Sequence, residues 1–222
     1  MPQPDRGHIR SFYDRMGAKQ DTQCWYEDPA TADLTAHADF EHARAVFELG
    51  CGTGRFAAGL LDGRLPAHAR YDAVDMSPTM LGLARERLAP FGDRVQVGRT
   101  DGALRFDRAD AACDRFVANY VLDLLSEADI AAALGEAARL LADGGLLCIA
   151  SLGHGAGPVS RAVAGLWSLI HRLRPMLVGG CRPLDLAPFI DSNTWTVRHR
   201  RTVVARGIPS EVIVAARRAR AR

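Results

Sequence analysis

The chain predicts an α/β domain: a mostly parallel seven-stranded sheet with helices on both faces and a closing antiparallel hairpin, preceded by a helical cap over residues 1–43. Three observations carry that expectation. From residue 45 onward, short apolar runs alternate with longer helical patterns, as parallel strands covered by helices require. The first run ends in a glycine-rich turn, Gly50-Cys51-Gly52-Thr53-Gly54. Two β-type runs then close the chain, which reads as one domain, residues 44–222, without repeats or a low-complexity linker.

In the cap, Ile9, Phe12, Tyr13 and Met16 recur at helical spacing, and Pro29 suits the first position of a second helix reaching Phe40. Between them lies a polar stretch, 20–26, that carries Trp25 and Tyr26. Strands are expected at Ala45–Leu49, Tyr71–Val74, about 94–98, about 114–118 and Leu146–Leu152. A helix should start near Thr53, and Ser77-Pro78 should cap another whose Leu81, Ala84 and Leu88 share a face. Ser126 and Asp129 cap a third, with Ile130, Ala133, Leu134, Ala137, Leu140 and Leu141 inward and a stop at Gly144-Gly145. The segment 153–193 holds a further helix from Pro158 to about Arg174. The runs Trp195–Val204 and Glu211–Ala215 form a hairpin around 206–209.

Composition excludes several classes. With 222 residues, 48% hydrophobic and 24% charged, the chain can bury a core without staples, and five cysteines with no CxxC pair read as reduced thiols. A net charge of +2 does not argue for nucleic acid. No signal peptide or spanning stretch is evident, so a cytoplasmic protein is expected. The arginine-rich end, Arg217 to Arg222, reads as a solvated, frayed tail or an anion contact. The histidines are scattered, without a helical HxxxH or a histidine–carboxylate cluster, so no metal is expected.

Glycines in the first turn let backbone approach a ligand, and the next helix offers free N–H groups. The spacing GxGxG lacks the third glycine of the nicotinamide fingerprint and the Gly-Lys-Ser/Thr of a phosphate loop. Asp75, 21 residues after Gly54 at the end of the second strand, is placed to accept both hydroxyls of a ribose. Asp101-Gly102 follows the third strand, where an adenine edge would lie, and Asn119 ends the fourth. These strand ends line one crevice, which suits a nucleoside-like ligand.

Over roughly residues 45–152 the sequence resembles the Rossmann-like class I S-adenosylmethionine-dependent methyltransferases, through ELGCGTG, DMSPTML and LLADGGLLCIASL. The resemblance implies S-adenosylmethionine as cofactor and S-adenosylhomocysteine as product. It implies that Glu48 braces the loop, that Gly50, Cys51, Gly52 and Gly54 shape the methionine end, and that Asp75 holds the ribose. Met76 then packs on adenine, Asp101 takes its exocyclic amine, Gly102 offers an amide, and Asn119 lies near the methionine part.

Because the sulfonium methyl group is already electrophilic, the protein mainly aligns a nucleophile, and a base is optional. The fourth strand, Val117-Ala118-Asn119-Tyr120-Val121-Leu122, lacks the Asn-Pro-Pro-Tyr signature of base-flipping enzymes. A small-molecule acceptor with an N, O or S nucleophile is therefore expected, and no nucleic-acid partner. Acceptor candidates are Tyr13, Trp25, Tyr26 and Arg182, with Tyr120 and His154 as candidate catalytic groups. Trp25 and Tyr26 form a lid or cage, or simply anchor the cap. Substrate choice is expected in the 153–193 insertion. Its stripe of Val159, Val163, Leu166, Trp167, Ile170 and Leu173 packs on the domain, lies on a membrane surface or lines an acceptor pocket for a lipid or quinone-like substrate. A non-catalytic S-adenosylmethionine-binding protein is the remaining alternative, and the oligomeric state is open.

Overall fold

A computed structural model describes residues 4–219. Seven strands form one sheet in the order β3-β2-β1-β4-β5-β7-β6, comprising β1 (Ala45–Leu49), β2 (Arg70–Asp75), β3 (Val95–Arg99), β4 (Cys113–Asn119), β5 (Leu141–Leu152), β6 (Trp195–Ala205) and β7 (Ile208–Arg217). The first five are mutually parallel; β7 runs antiparallel to β5, and β6 antiparallel to β7. This is the expected sheet, closing hairpin included. Helices are α1 (Arg6–Met16), α2 (Cys24–His37), α3 (Arg55–Gly63), α4 (Pro78–Leu88), α5 (Glu127–Leu140) and α6 (Pro158–Leu173).

Strand alternation explains the two-sided core. Val46 and Cys51 face Leu34, Leu60 and Leu81 on one side, while Phe47 and Leu49 join Phe116, Ile130 and Leu134 on the other. Burial on both faces accounts for the near-continuous apolar runs of β4 and β5. Ser77 accepts the Met80 amide at 3.1 Å and Ser126 the Asp129 amide at 3.1 Å, so α4 and α5 begin as expected.

Four boundaries differ from expectation. The stretch 17–23 is itself 3₁₀ and runs directly into α2, which starts at Cys24; Pro29 therefore lies inside that helix, and Trp25 and Tyr26 occupy its first turn. Helix α3 starts at Arg55, after a Gly54 at φ +75°. The helix α5 ends at Leu140, ahead of Gly144-Gly145, because Leu141 already pairs with Cys113; the two glycines fall at the register shift that follows. The hairpin turn is only Arg206-Gly207, at φ +48° and +90°, and Pro209 pairs within the ladder. Arg217 is anchored rather than frayed: it donates to the Leu141 carbonyl at 2.9 Å and to Asp143 at 2.7 Å. The last arginines, 220 and 222, lie outside the described residues. Among the described residues, no helix is long and apolar enough to cross a membrane.

Candidate functional site

At the carboxyl ends of β1, β2 and β4 opens a cavity. Gly50, Gly52, Asp75, Met76, Asn119 and Tyr120 line it from the sheet; Arg6, Ile9, Arg10 and Tyr13 line it from α1; Thr100, Gly102, Leu104 and Leu125 complete the wall. The glycine turn is folded back on β2, with the Gly50 and Cys51 amides both donating to the Val74 carbonyl, at 2.8 and 3.1 Å. A side chain at Gly50 would bring its Cβ within 2.8 Å of Val121, and φ is +73°. Asp75 accepts the Gly52 amide at 2.9 Å and the Ser77 amide at 2.8 Å. Burial raises its carboxyl above the usual range against those bonds.

A narrower recess continues behind the turn and shares Gly50, Gly52, Asn119 and Tyr120 with the cavity. Glu48 lies there, buried, accepting the Tyr71 hydroxyl at 2.9 Å; burial pushes its carboxyl up to about 7. Cys51 and Glu27 line the same recess, and burial, opposed by the Arg55 charge, also lifts Glu27 to about 7. Both side-chain heteroatoms of Asn119 and the Glu27 Oε1 atom are buried without a hydrogen-bond partner among the described residues. Groups of this kind cost free energy unless something else satisfies them.

The N-terminal segment is strapped over the cavity. Arg6 donates to the Gly102 carbonyl at 2.7 Å and pairs with Asp129 at 2.5 Å. Asp14 accepts the Ser77 hydroxyl at 2.5 Å. Asp21 accepts the Thr53 hydroxyl and Arg87, both at 2.6 Å; burial opposes ionisation, yet these bonds and the Arg87 and Arg55 charges hold its carboxyl below the usual range. Below the strap, the Tyr13 hydroxyl meets the Cys181 thiol at 3.5 Å, Tyr26 stands edge-on to Tyr120, and the Tyr120 hydroxyl bonds Ser210 at 2.8 Å. Tyr120 holds φ +52°, a strained value for a side chain of this size, at the end of β4. Burial drives all three tyrosine pKa values upward, so they remain protonated at neutral pH.

Several expected site residues sit elsewhere. Asp101 is exposed, its side chain turned to the Ala103 amide at 2.8 Å, so Thr100 and Gly102 line the cavity in its place. Gly54 lies outside both spaces: its Cβ would meet Ala84 at 3.1 Å, so it serves the packing of α3 on α4. His154 is exposed and away from the cavity. Trp25 is 43% exposed beneath Arg206, outside the lining, and Tyr26 is buried behind Tyr120, so the two form no cage. Arg182 is buried, donating to the Leu125 carbonyl at 2.7 Å, and offers no cation to an acceptor. No residue of 153–193 lines the cavity; Gly179 and Gly180 instead back onto Phe12, Tyr13, Ile9 and Leu124.

The sequence reading overlooked Arg6, Arg10 and Gln20, although Arg6, Arg10 and Tyr13 follow the spacing of one helix face. It also overlooked two histidine–carboxylate clusters, the exposed Asp39, Glu41 and His42 and the group Asp33, His37 and His199, each with donor atoms within 4.8 Å of one another. There Asp33 is already paired with His199 at 2.7 Å and Arg201 at 3.0 Å, which accounts for the grouping without an ion.

Comparison with known proteins agrees with this geometry. Residues 46–145 match the model of the methyltransferase domain family. Trans-aconitate 2-methyltransferase of Azoarcus sp. (strain BH72) is 38% identical over 120 residues, 54% of this chain and 44% of that protein; the match thus spans less than half the length of this curated relative. Among solved structures, the 1,6-didemethyltoxoflavin-N1-methyltransferase of Burkholderia thailandensis, bound to 1,6-didemethyltoxoflavin and S-adenosylhomocysteine, superposes with a TM-score of 0.71 at 17% identity. That match covers 99% of this chain and 93% of the other. The N-methyltransferase NodS of Bradyrhizobium japonicum WM9, in complex with S-adenosylhomocysteine, gives 0.69 at 18% identity over 95% and 98%. Through residues 46–145, the chain is thus similar to the methyltransferase domain family.

Proposed function

We propose that the chain transfers a methyl group from S-adenosylmethionine to a small-molecule acceptor that arrives with a free N, O or S nucleophile. The observation that carries the reading is the Asn119 side chain, buried and unsatisfied on both heteroatoms where the cavity meets the recess. The cofactor fits the residues present. Asp75, bonded to two amides, keeps further lone pairs for ribose hydroxyls; Met76 and Leu104 suit adenine, with Thr100 and Gly102 at its edge. Asn119 and Glu27 suit the amino-acid end of the cofactor, and Gly50 leaves room for a chain to pass. When bound, the cofactor supplies an electrophilic methyl group and its own leaving group.

The remaining work of the protein is to align the acceptor and exclude water. Ile9, Leu124, Leu125 and Met80 offer an apolar wall, while Arg10 offers positive charge. An acceptor with an apolar body and an anionic group suits that lining. Its methylation needs no base if the nucleophile is a carboxylate, a thiolate or a neutral amine, which agrees with tyrosines held protonated. The relative named for trans-aconitate gives the carboxylate added support. We place α1 and the 3₁₀ segment after it as a cap over this site, and the five free cysteines suit a reducing, cytoplasmic setting.

Calorimetric titration with S-adenosylhomocysteine tests the reading. Wild-type protein is expected to bind it and to ignore NAD, and Asp75→Ala to weaken binding by about tenfold or more. Absence of binding, or a preference for NAD, overturns it. Binding without methyl transfer to any amine, thiol, phenol or carboxylic acid leaves a cofactor-binding protein.

A further inference from the structure

An ordinary surface helix turns its apolar stripe inward. Helix α6 turns much of its stripe outward. Its buried face consists of Ser160, Ala164 and His171, with Trp167 half-buried and donating its indole N–H to the Cys181 carbonyl at 3.0 Å. Val159, Leu166, Leu169 and Leu173 lie exposed on another face, and Leu177 extends them beyond the helix. Val159 and Leu173 are each 69% exposed and Leu177 is 70%. At its amino end the stripe meets the hairpin turn, where Val159 and Val163 lie against Gly207, and Arg206 sits over the exposed Trp25 ring.

The charge within this segment has one sign. Residues 144–184 contain no Asp or Glu, and Arg161, Arg172, Arg174 and Arg206 are exposed beside it. From Val159 to Leu173 the apolar line is about 21 Å long, at about 1.5 Å per residue over 14 steps of helix, in a segment that carries arginines and no acid. That is the complement of an anionic bilayer interface, into which leucines sink to the acyl boundary while arginines meet headgroup phosphates. The same segment continues into Gly179 and Gly180, packed on Ile9, Tyr13 and Leu124 of the cavity wall.

We propose that the face formed by α6, Leu177 and the Arg206 turn docks on an anionic lipid surface, holding the cavity wall beside the membrane. The claim concerns the surface and stands apart from the identity of the acceptor.

Co-sedimentation with vesicles tests it, using phosphatidylcholine alone or mixed with phosphatidylglycerol. The full chain is expected to sediment with the mixed vesicles, less with phosphatidylcholine, and less as salt rises. Leu166→Ser/Leu169→Ser/Leu173→Ser and, separately, Arg161→Glu/Arg172→Glu/Arg174→Glu should each lower the partition coefficient by about tenfold or more. Binding of S-adenosylhomocysteine should be unaltered in both, since none of the six residues lines the site. Wild-type protein left in the supernatant at low salt, or variants that bind like wild type, overturns the proposal. So does a dimer in sedimentation equilibrium that the serine variant abolishes, because a second copy then covers the stripe. Failure of S-adenosylhomocysteine binding alone overturns the methyltransfer reading and leaves the lipid result intact.

Discussion

Asp123 is fully buried, and its Oδ1 atom has no hydrogen-bond partner among the described residues. Burial pushes its carboxyl up to about 7, against the Leu152 amide and the Arg182 charge. A carboxyl whose folded pKa lies above its unfolded value stabilises the fold most at pH below the unfolded value, about 3.9, and loses that contribution as pH rises towards 7. Glu27 and Glu48 act in the same direction. Melting temperature is therefore expected to decline between about pH 4 and 7. Asp123→Asn should make that decline shallower and raise stability at pH 8 by about 1–2 kcal/mol, because an amide removes a buried charge while keeping the shape. Parallel melting profiles for the two proteins would contradict this role. Nothing local in the sequence marks Asp123. Its charge bears on Tyr13, Tyr26 and Cys181 only once three remote segments fold together, whereas Asp75 stands beside its glycine turn and was legible.

Among the elements, the glycine turn separates packing from binding. Gly54 and Gly50 both hold positive φ, but the Cβ of one would strike Ala84 in α4 and that of the other Val121 on the cavity side. Gly54→Ala is expected to destabilise by about 1–3 kcal/mol in denaturant melts while folded protein keeps its affinity for S-adenosylhomocysteine. Gly50→Ala should instead cost about tenfold or more in that affinity. Equal effects of the two on affinity would remove the distinction. Strands were readable to within a few residues because alternation, apolar runs and glycines are local signals. Three helix boundaries were not, those of α2 and α5 by the widest margin. Pro29 imitates a helix start although a 3₁₀ segment has already led the chain into α2, and Leu141 leaves α5 ahead of the glycines because strand pairing claims it. The outward stripe of α6 was visible as a stripe, but only tertiary structure decides which side of a helix faces water.

Across the whole molecule, the sheet forms a rigid base, while the N-terminal segment is held by polar bonds from Arg6, Asp14 and Asp21 and by modest apolar contacts. Such straps open at lower free energy than core strands. Amide hydrogen exchange should slow in residues 5–23 on addition of S-adenosylhomocysteine and stay unchanged in β1, β4 and β5, already protected on both faces. Slowing confined to the sheet would show that the segment does not close over the ligand. The opposite margin of the sheet bears another consequence. Strand β6 is an edge, and an edge offers unpaired backbone groups to any extended chain that drifts alongside. Arg198, Arg200 and Arg201 crowd that margin. Long charged side chains on an edge disfavour its pairing with another strand, even where ion pairs tether them, as Glu211 and Asp185 hold Arg200 and Asp33 holds Arg201.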